Sequence, residues 1–130
     1  MHDLDTRLAI ARRALARCLT NWRVRNQLTY RQIDALSKAA VGRSGIPPAT
    51  IARWARAAED PSVVWEPQAI TIATLGAIND LVVRIREGAA EPPPSLKQHP
   101  GIEPMRRLDG QPLSAGDIAL VLIGTEGILY

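Results

Sequence analysis

Residues 28–58 read LTYRQIDALSKAAVGRSGIPPATIARWARAA, and the order of signals in this stretch decides the fold. Thr29-Tyr30-Arg31-Gln32 is a capping box, in which the Thr29 and Gln32 side chains satisfy each other's end of the backbone, with Leu28 and Ile33 as a hydrophobic staple. The spacing predicts a helix from there through Leu36 toward Val41, closed by the turn chemistry of Gly42-Arg43-Ser44-Gly45. Another helix starts at Pro47-Pro48, because a first-turn proline lacks only an N–H that had no helical acceptor. At 100° per residue, Ile51, Trp54, Ala55 and Ala58 fall on one side of it, and Ala49, Arg53 and Arg56 on the other. The apolar side requires a core. The arginine side faces something else.

Upstream, Leu4, Leu8, Ala11, Leu15, Cys18 and Trp22 recur every three or four residues, one stripe of a long amphipathic helix ending near Gln27, with Asp3 and Asp5 at its positive end. The same spacing is a heptad seam, so the stripe suits either the chain's own core or a partner helix. Cys18 within it reads as a small core residue. Downstream of turn signals at Asp60-Pro61-Ser62 and Glu66-Pro67, the series Ile72, Leu75, Ile78, Leu81, Val82, Ile85 predicts a buried helix to near Gly88, interrupted by Gly76. Trp65, in the loop between, fits a lid on the core or an exposed partner contact. Glu91-Pro92-Pro93-Pro94-Ser95 reads as a stiff linker. Ala115-Gly116-Asp117 then reads as a turn into a strand at 118–123, with Gly124–Gly127 turning into a second strand at 128–130. A short helix capped by Ser114 and closed by Gly124 competes. The strand is preferred because β-branched residues bracket the run.

The 130 residues carry 16 Lys plus Arg against 13 Asp plus Glu, a net charge of +3. The halves differ: residues 1–60 hold eleven basic and five acidic side chains, and residues 61–130 hold five basic and eight acidic ones. A polyanion partner is expected for the first half only. Cys18 is the sole cysteine, which excludes a disulfide within the chain, and with His2 and His99 it leaves too few ligands for a structural zinc site. No metal or other cofactor is expected. The absence of a long apolar run or signal-peptide core points to a cytoplasmic protein with no membrane partner. Phe is absent, so Ala, Ile, Leu and Val must fill a small core that leaves little room for an enzyme-sized cavity. Lys97 and Ser114 are the only nearby candidates for a Ser/Lys peptidase pair, without the sheet such a site needs. No catalytic residue is assigned.

Three helices and a fourth, with a sharp turn before the third and arginines on its outer face, are the layout of a helix-turn-helix DNA reader. Leu28-Thr29, Ile33, Gly45-Ile46, Thr50-Ile51 and Arg53-Trp54 resemble the Cro/C1-type (XRE) repressor family, whose signature runs Leu-Thr, Leu-Ala, Gly-Val-Ser, Thr-Ile, Arg-Trp-Glu. Pro67, Thr71, Ile72 and Leu75 are similar to its fourth helix, so the resemblance spans residues 20–85. It has departures. Eleven residues separate Ile33 from Gly45 where the family has fewer, which requires a longer second helix or a true loop. Pro47 and Pro48 replace polar residues, and Ala55 and Ala57 replace Glu and Gly.

The resemblance implies a mainly α fold of four to five helices over residues 1–90. A Pro-rich linker at 91–96 and a C-terminal β-strand or hairpin arm at 97–130 complete the expected organisation. It implies base reading by Ala49, Thr50 and Arg53, with Ala49 toward a thymine methyl and Arg53 bidentate on guanine. Phosphate contacts fall to Arg25, Arg31, Gln32, Arg43, Ser44 and Arg56. The expected function is a repressor of phage or mobile-element type, a homodimer on a palindromic operator in double-stranded DNA, with Ile118, Leu120, Leu122 and Ile128 of the arm forming the dimer or partner contact. The same features fit an antitoxin or adaptor whose arm binds a partner protein. A steep salt dependence of duplex binding separates the two.

Overall fold

The computed structural model describes residues 2–42, 45–107 and 109–123, with the side chains of 2–5 and 120–123 left aside. Five α-helices follow one another: α1 (His2–Arg25), α2 (Tyr30–Val41), α3 (Pro48–Glu59), α4 (Ala69–Arg86) and α5 (Ala115–Ile123), with one 3-10 turn at Pro94–Leu96. The expected mainly α architecture is present. α1 packs on α3 and α2 on α4, while α5 lies across both α4 and α1.

From Ala11 onward the apolar stripe of α1 is used inside the chain, while Leu8 is half-buried. Ala11, Leu15, Cys18 and Trp22 are buried, joined by Ala16 and Leu19, and all of these but Ala11 share one cluster with Ile33 and Leu36 of α2, Ile51 and Trp54 of α3 and Leu75 and Ile78 of α4. Burial pushes the Cys18 thiol up to about 11, with Arg25 opposing weakly, so it is a packing group. The capping box of α2 forms as read: the Gln32 N–H donates to the Thr29 hydroxyl at 3.1 Å, and the Thr29 N–H to Gln32 Oε1 at 2.9 Å. Gly42 closes that helix at φ 70°, a left-handed conformation that glycine adopts without strain. The extra residues between Ile33 and Gly45 are therefore mostly helix, and α2 is simply long.

One expectation is corrected beyond α4. The run 118–123 is helical, and no β-strand forms among the described residues apart from an isolated bridge between Arg106 and Pro112. The reason is local: the Asp117 N–H donates to Ser114 Oγ at 3.1 Å while the Ser114 N–H donates to Asp117 Oδ2 at 2.9 Å, a reciprocal cap that starts α5. Gly76 makes room for this helix start, since a Cβ there would lie 2.7 Å from the Ala115 backbone nitrogen. The second strand expected at 128–130, with Ile128, lies outside the described residues.

The stretch 91–96, read as a stiff linker, runs along the helices. Pro93 and Leu96 are buried, and the 3-10 turn sits against α2. Beyond it, Ile102, Met105, Leu113 and Ile118 join the same buried cluster as the helices. Two asparagines fix this irregular segment. Asn79 of α4, fully buried, donates to the Met105 and Leu113 carbonyls at 2.8 and 2.9 Å and accepts from the Met105 N–H at 2.7 Å. Just past α1, Asn26 accepts from the Glu103 N–H at 2.8 Å, and the Trp22 indole donates to the Glu103 carbonyl at 2.7 Å. Buried polar groups of this kind must be paired, and here each pair ties the last third of the chain to a helix.

Candidate nucleic-acid interface

α2 and α3 are locked together through one serine. Ser37 is fully buried; its hydroxyl donates to the Asp34 carbonyl at 2.8 Å and accepts from the Ile46 N–H at 2.8 Å. The chain returning to α3 passes so close that a Cβ on Gly45 would meet Ser37 Oγ at 2.1 Å and the Asp34 carbonyl at 2.7 Å. Glycine is required there by close approach. Arg43 and Ser44, two of the expected phosphate contacts, lie outside the described residues.

α3 divides as its sequence dictates. Ile51, Trp54, Ala57 and Ala58 are buried, and Ala49, Arg53 and Arg56 are exposed, with Thr50 half-buried. Trp54 meets Trp65 edge to face, with ring centroids 5.9 Å apart, so both tryptophans belong to the core. The three expected base-reading residues thus share the outward side of one helix. Arg25 and Arg31 are exposed at the end of α1 and the start of α2. Gln32 commits its carbonyl oxygen to the cap and keeps its amide N–H groups.

Arg53 has a partner that no local pattern indicates. Its Nε and Nη2 both donate to the Val64 carbonyl, at 3.1 and 3.0 Å, across the loop that joins α3 to α4. The Nε–Nη2 edge of the guanidinium is therefore held on the protein's own backbone, and Nη1 keeps its donors. Around it, Thr50, Val64, Trp65, Glu66, Gln68 and Thr71 line a polar cleft of about 430 Å³. Other arginines of the basic half brace the fold. Arg17 donates to the Ala58 carbonyl near the end of α3, Arg12 pairs with Glu66 at 3.3 Å, and Arg23 lies 5.0 Å over the Tyr30 ring.

Four residues are expected at a dimer or partner contact. Ile118 is fully buried in the chain's own core and offers no surface to another chain. Leu120 and Leu122 belong to α5, their side chains lie outside the description, and Ile128 lies beyond it. Among the described residues, no group of three or more His, Cys, Asp or Glu is placed to hold a metal ion, and no helix is long and apolar enough to cross a membrane.

Comparison with family models, with curated proteins and with solved structures returns no match for this chain.

Proposed function

We propose that this chain is a sequence-specific transcriptional regulator that reads duplex DNA with α3 and acts as a homodimer on a two-fold symmetric operator. One observation carries the reading: an arginine-bearing helix face, Ala49, Arg53 and Arg56, stands out from a helix whose other side is buried and which is braced against α2 through Ser37 and Gly45. Twelve residues make a rod about 18 Å long, a length suited to a major groove about 12 Å wide. Arg53 reads guanine through its fork, Thr50 and Ala49 contact neighbouring bases, and Arg25, Arg31, Gln32 and Arg56 set register on the phosphates. A single module of this size covers only about 600–1,000 Å² on DNA, so specificity calls for two half-sites.

Reading guanine through the Nε–Nη2 edge requires Arg53 to leave the Val64 carbonyl. The exchange of one charge-assisted acceptor for the paired O6 and N7 of guanine costs little, because the fork geometry suits both. Selection of bound duplexes from a random pool tests the proposal. A two-fold symmetric motif is expected, and Arg53→Ala should flatten preference at one position by about 1–3 kcal/mol. Recovery of no motif, with binding insensitive to salt, would refute it and favour a protein-binding role.

A further inference from the structure

A second concavity lies behind the α3–α4 loop. The first half of α1 and residues 61–65 enclose an open groove of about 330 Å³, floored by Ala57 of α3 and walled by Ile10, Val63, Val64 and Trp65. Its volume falls at the lower end of small-ligand sites. Ile10 and Val64 are 61% and 59% exposed, two of the large apolar side chains this fold leaves in water.

The groove also contains charge. Arg12 at its edge is neutralised by Glu66, but Arg13 forms no ion pair among the described residues, and its Nε is shielded from solvent with no acceptor. The Asp60 carboxylate, which feels Arg13 weakly, is engaged by the Ser62 N–H and hydroxyl at 2.9 and 2.7 Å. An apolar trough with a guanidinium that no ion pair neutralises among the described residues is complementary to a single negative charge on an apolar tail.

Val64 belongs to both concavities. Its side chain walls the groove, while its carbonyl holds both donors of Arg53 in the polar cleft, and Trp65 lines the two sites together. We propose that the groove binds an amphiphilic monocarboxylate, its tail along Ile10, Val63 and Val64 and its carboxylate on Arg13, and that occupancy keeps Arg53 held at Val64. The direction follows from linkage: a ligand stabilises the conformation whose shape it fits, and the open groove is present here together with the engaged Arg53. This rests on the DNA-reading role of Arg53, for which the ligand acts as a releasing effector.

Sodium decanoate, titrated calorimetrically into the full chain, is the direct test. Saturable one-to-one binding is expected. Arg13→Gln and the uncharged decanol should each weaken it about tenfold or more, and octanoate should bind roughly tenfold less tightly for its two missing methylenes. Ile10→Glu, at an exposed position, should weaken it comparably while the unfolding midpoint stays that of the parent. The Arg53 Nε–H resonance, identified by its loss in Arg53→Lys, should become better protected from exchange when decanoate binds. Saturating decanoate should then weaken operator binding severalfold.

Binding that does not saturate, or is indifferent to Arg13→Gln, means an adventitious additive only and overturns the site. A dimer that Ile10→Glu dissolves would show a second copy in the groove and overturn it equally. Decanoate binding without a change at Arg53 overturns the coupling. If no duplex is bound at all, the DNA reading falls, while calorimetry and the Arg53 resonance still judge the groove.

Discussion

Replacing Asn79 with alanine removes the amide that fixes residues 105–113 onto α4. The substitution deletes three hydrogen bonds in a fully buried site, two donated to the Met105 and Leu113 carbonyls and one accepted from the Met105 N–H. The Met105 carbonyl keeps a second donor, the Leu113 N–H at 2.9 Å, so it is not stranded. The Met105 N–H and the Leu113 carbonyl both are. An unsatisfied buried group costs about 1–3 kcal/mol, which puts the loss at about 2–6 kcal/mol. Against a domain stability of about 5–15 kcal/mol this is a large fraction. Equilibrium urea unfolding, read by the fluorescence of the buried Trp22, Trp54 and Trp65, measures it directly. With a denaturant slope of about 2 kcal/mol per molar, a loss of about 3 kcal/mol lowers the midpoint by about 1.5 M at unchanged slope. Asn79→Asp sharpens the test: it retains an acceptor for the Met105 N–H but sets a carboxylate against two carbonyls, which raises the folded-state pKa of the new carboxyl. That variant is therefore least destabilised below about pH 4 and loses stability as pH rises through the raised pKa. A midpoint change under about 0.5 M in Asn79→Ala, or an Asn79→Asp variant indifferent to pH, would refute the assignment of this asparagine as the clamp.

Ser37→Ala strands the Ile46 N–H and should cost about 1–3 kcal/mol in the same assay; thermodynamic indifference would sever the proposed lock between α2 and α3. Arg56→Ala should weaken all duplexes alike and reduce the slope of log affinity against log salt by about 0.9, measured by fluorescence anisotropy across a salt series; a change confined to one sequence would reassign Arg56 to base reading. Hydrogen bonds from Arg107 hold Asp109 down to about 2, and the Ser114 N–H holds Asp117 below the usual carboxylate range. Depressed folded values give stability present above about pH 4 and lost as pH falls toward 2. Asp117→Asn should flatten that acid limb, as followed by thermal melts. Cys18 should resist alkylation at pH 8 in the native state and react only as fast as the core opens; immediate modification would contradict its burial.

The parts legible in the sequence are those whose causes are local. The Thr29–Gln32 box, the Gly42 stop and the Pro47-Pro48 start each act within one helical turn, and α2 and α3 begin and end where those residues say. The outward side of α3 follows from its 3.6-residue period. The run 118–123 is apolar throughout and carries no period, so its state hangs on a cap, and Ser114 with Asp117 supplies it, as in the helical alternative to the preferred strand. Residues 97–113 have no periodic signal because two buried asparagines, Asn26 and Asn79, organise them from 26 to 77 positions away. The site was legible to the same depth. The exposure of Arg53 came from helix geometry, whereas its engagement by Val64 is a tertiary contact that no spacing encodes.

The closure of α1's end by residue 103 also orders events during synthesis. Trp22 and Asn26 emerge early, yet their acceptor and donor at Glu103 lie 81 and 77 residues downstream. At translation rates of about 5–20 residues per second, those groups wait several seconds for their partners. Chains halted before that point carry an indole N–H and an amide oxygen whose protein partners are still missing, although the Asn26 amide already donates to the Trp22 carbonyl at 2.8 Å.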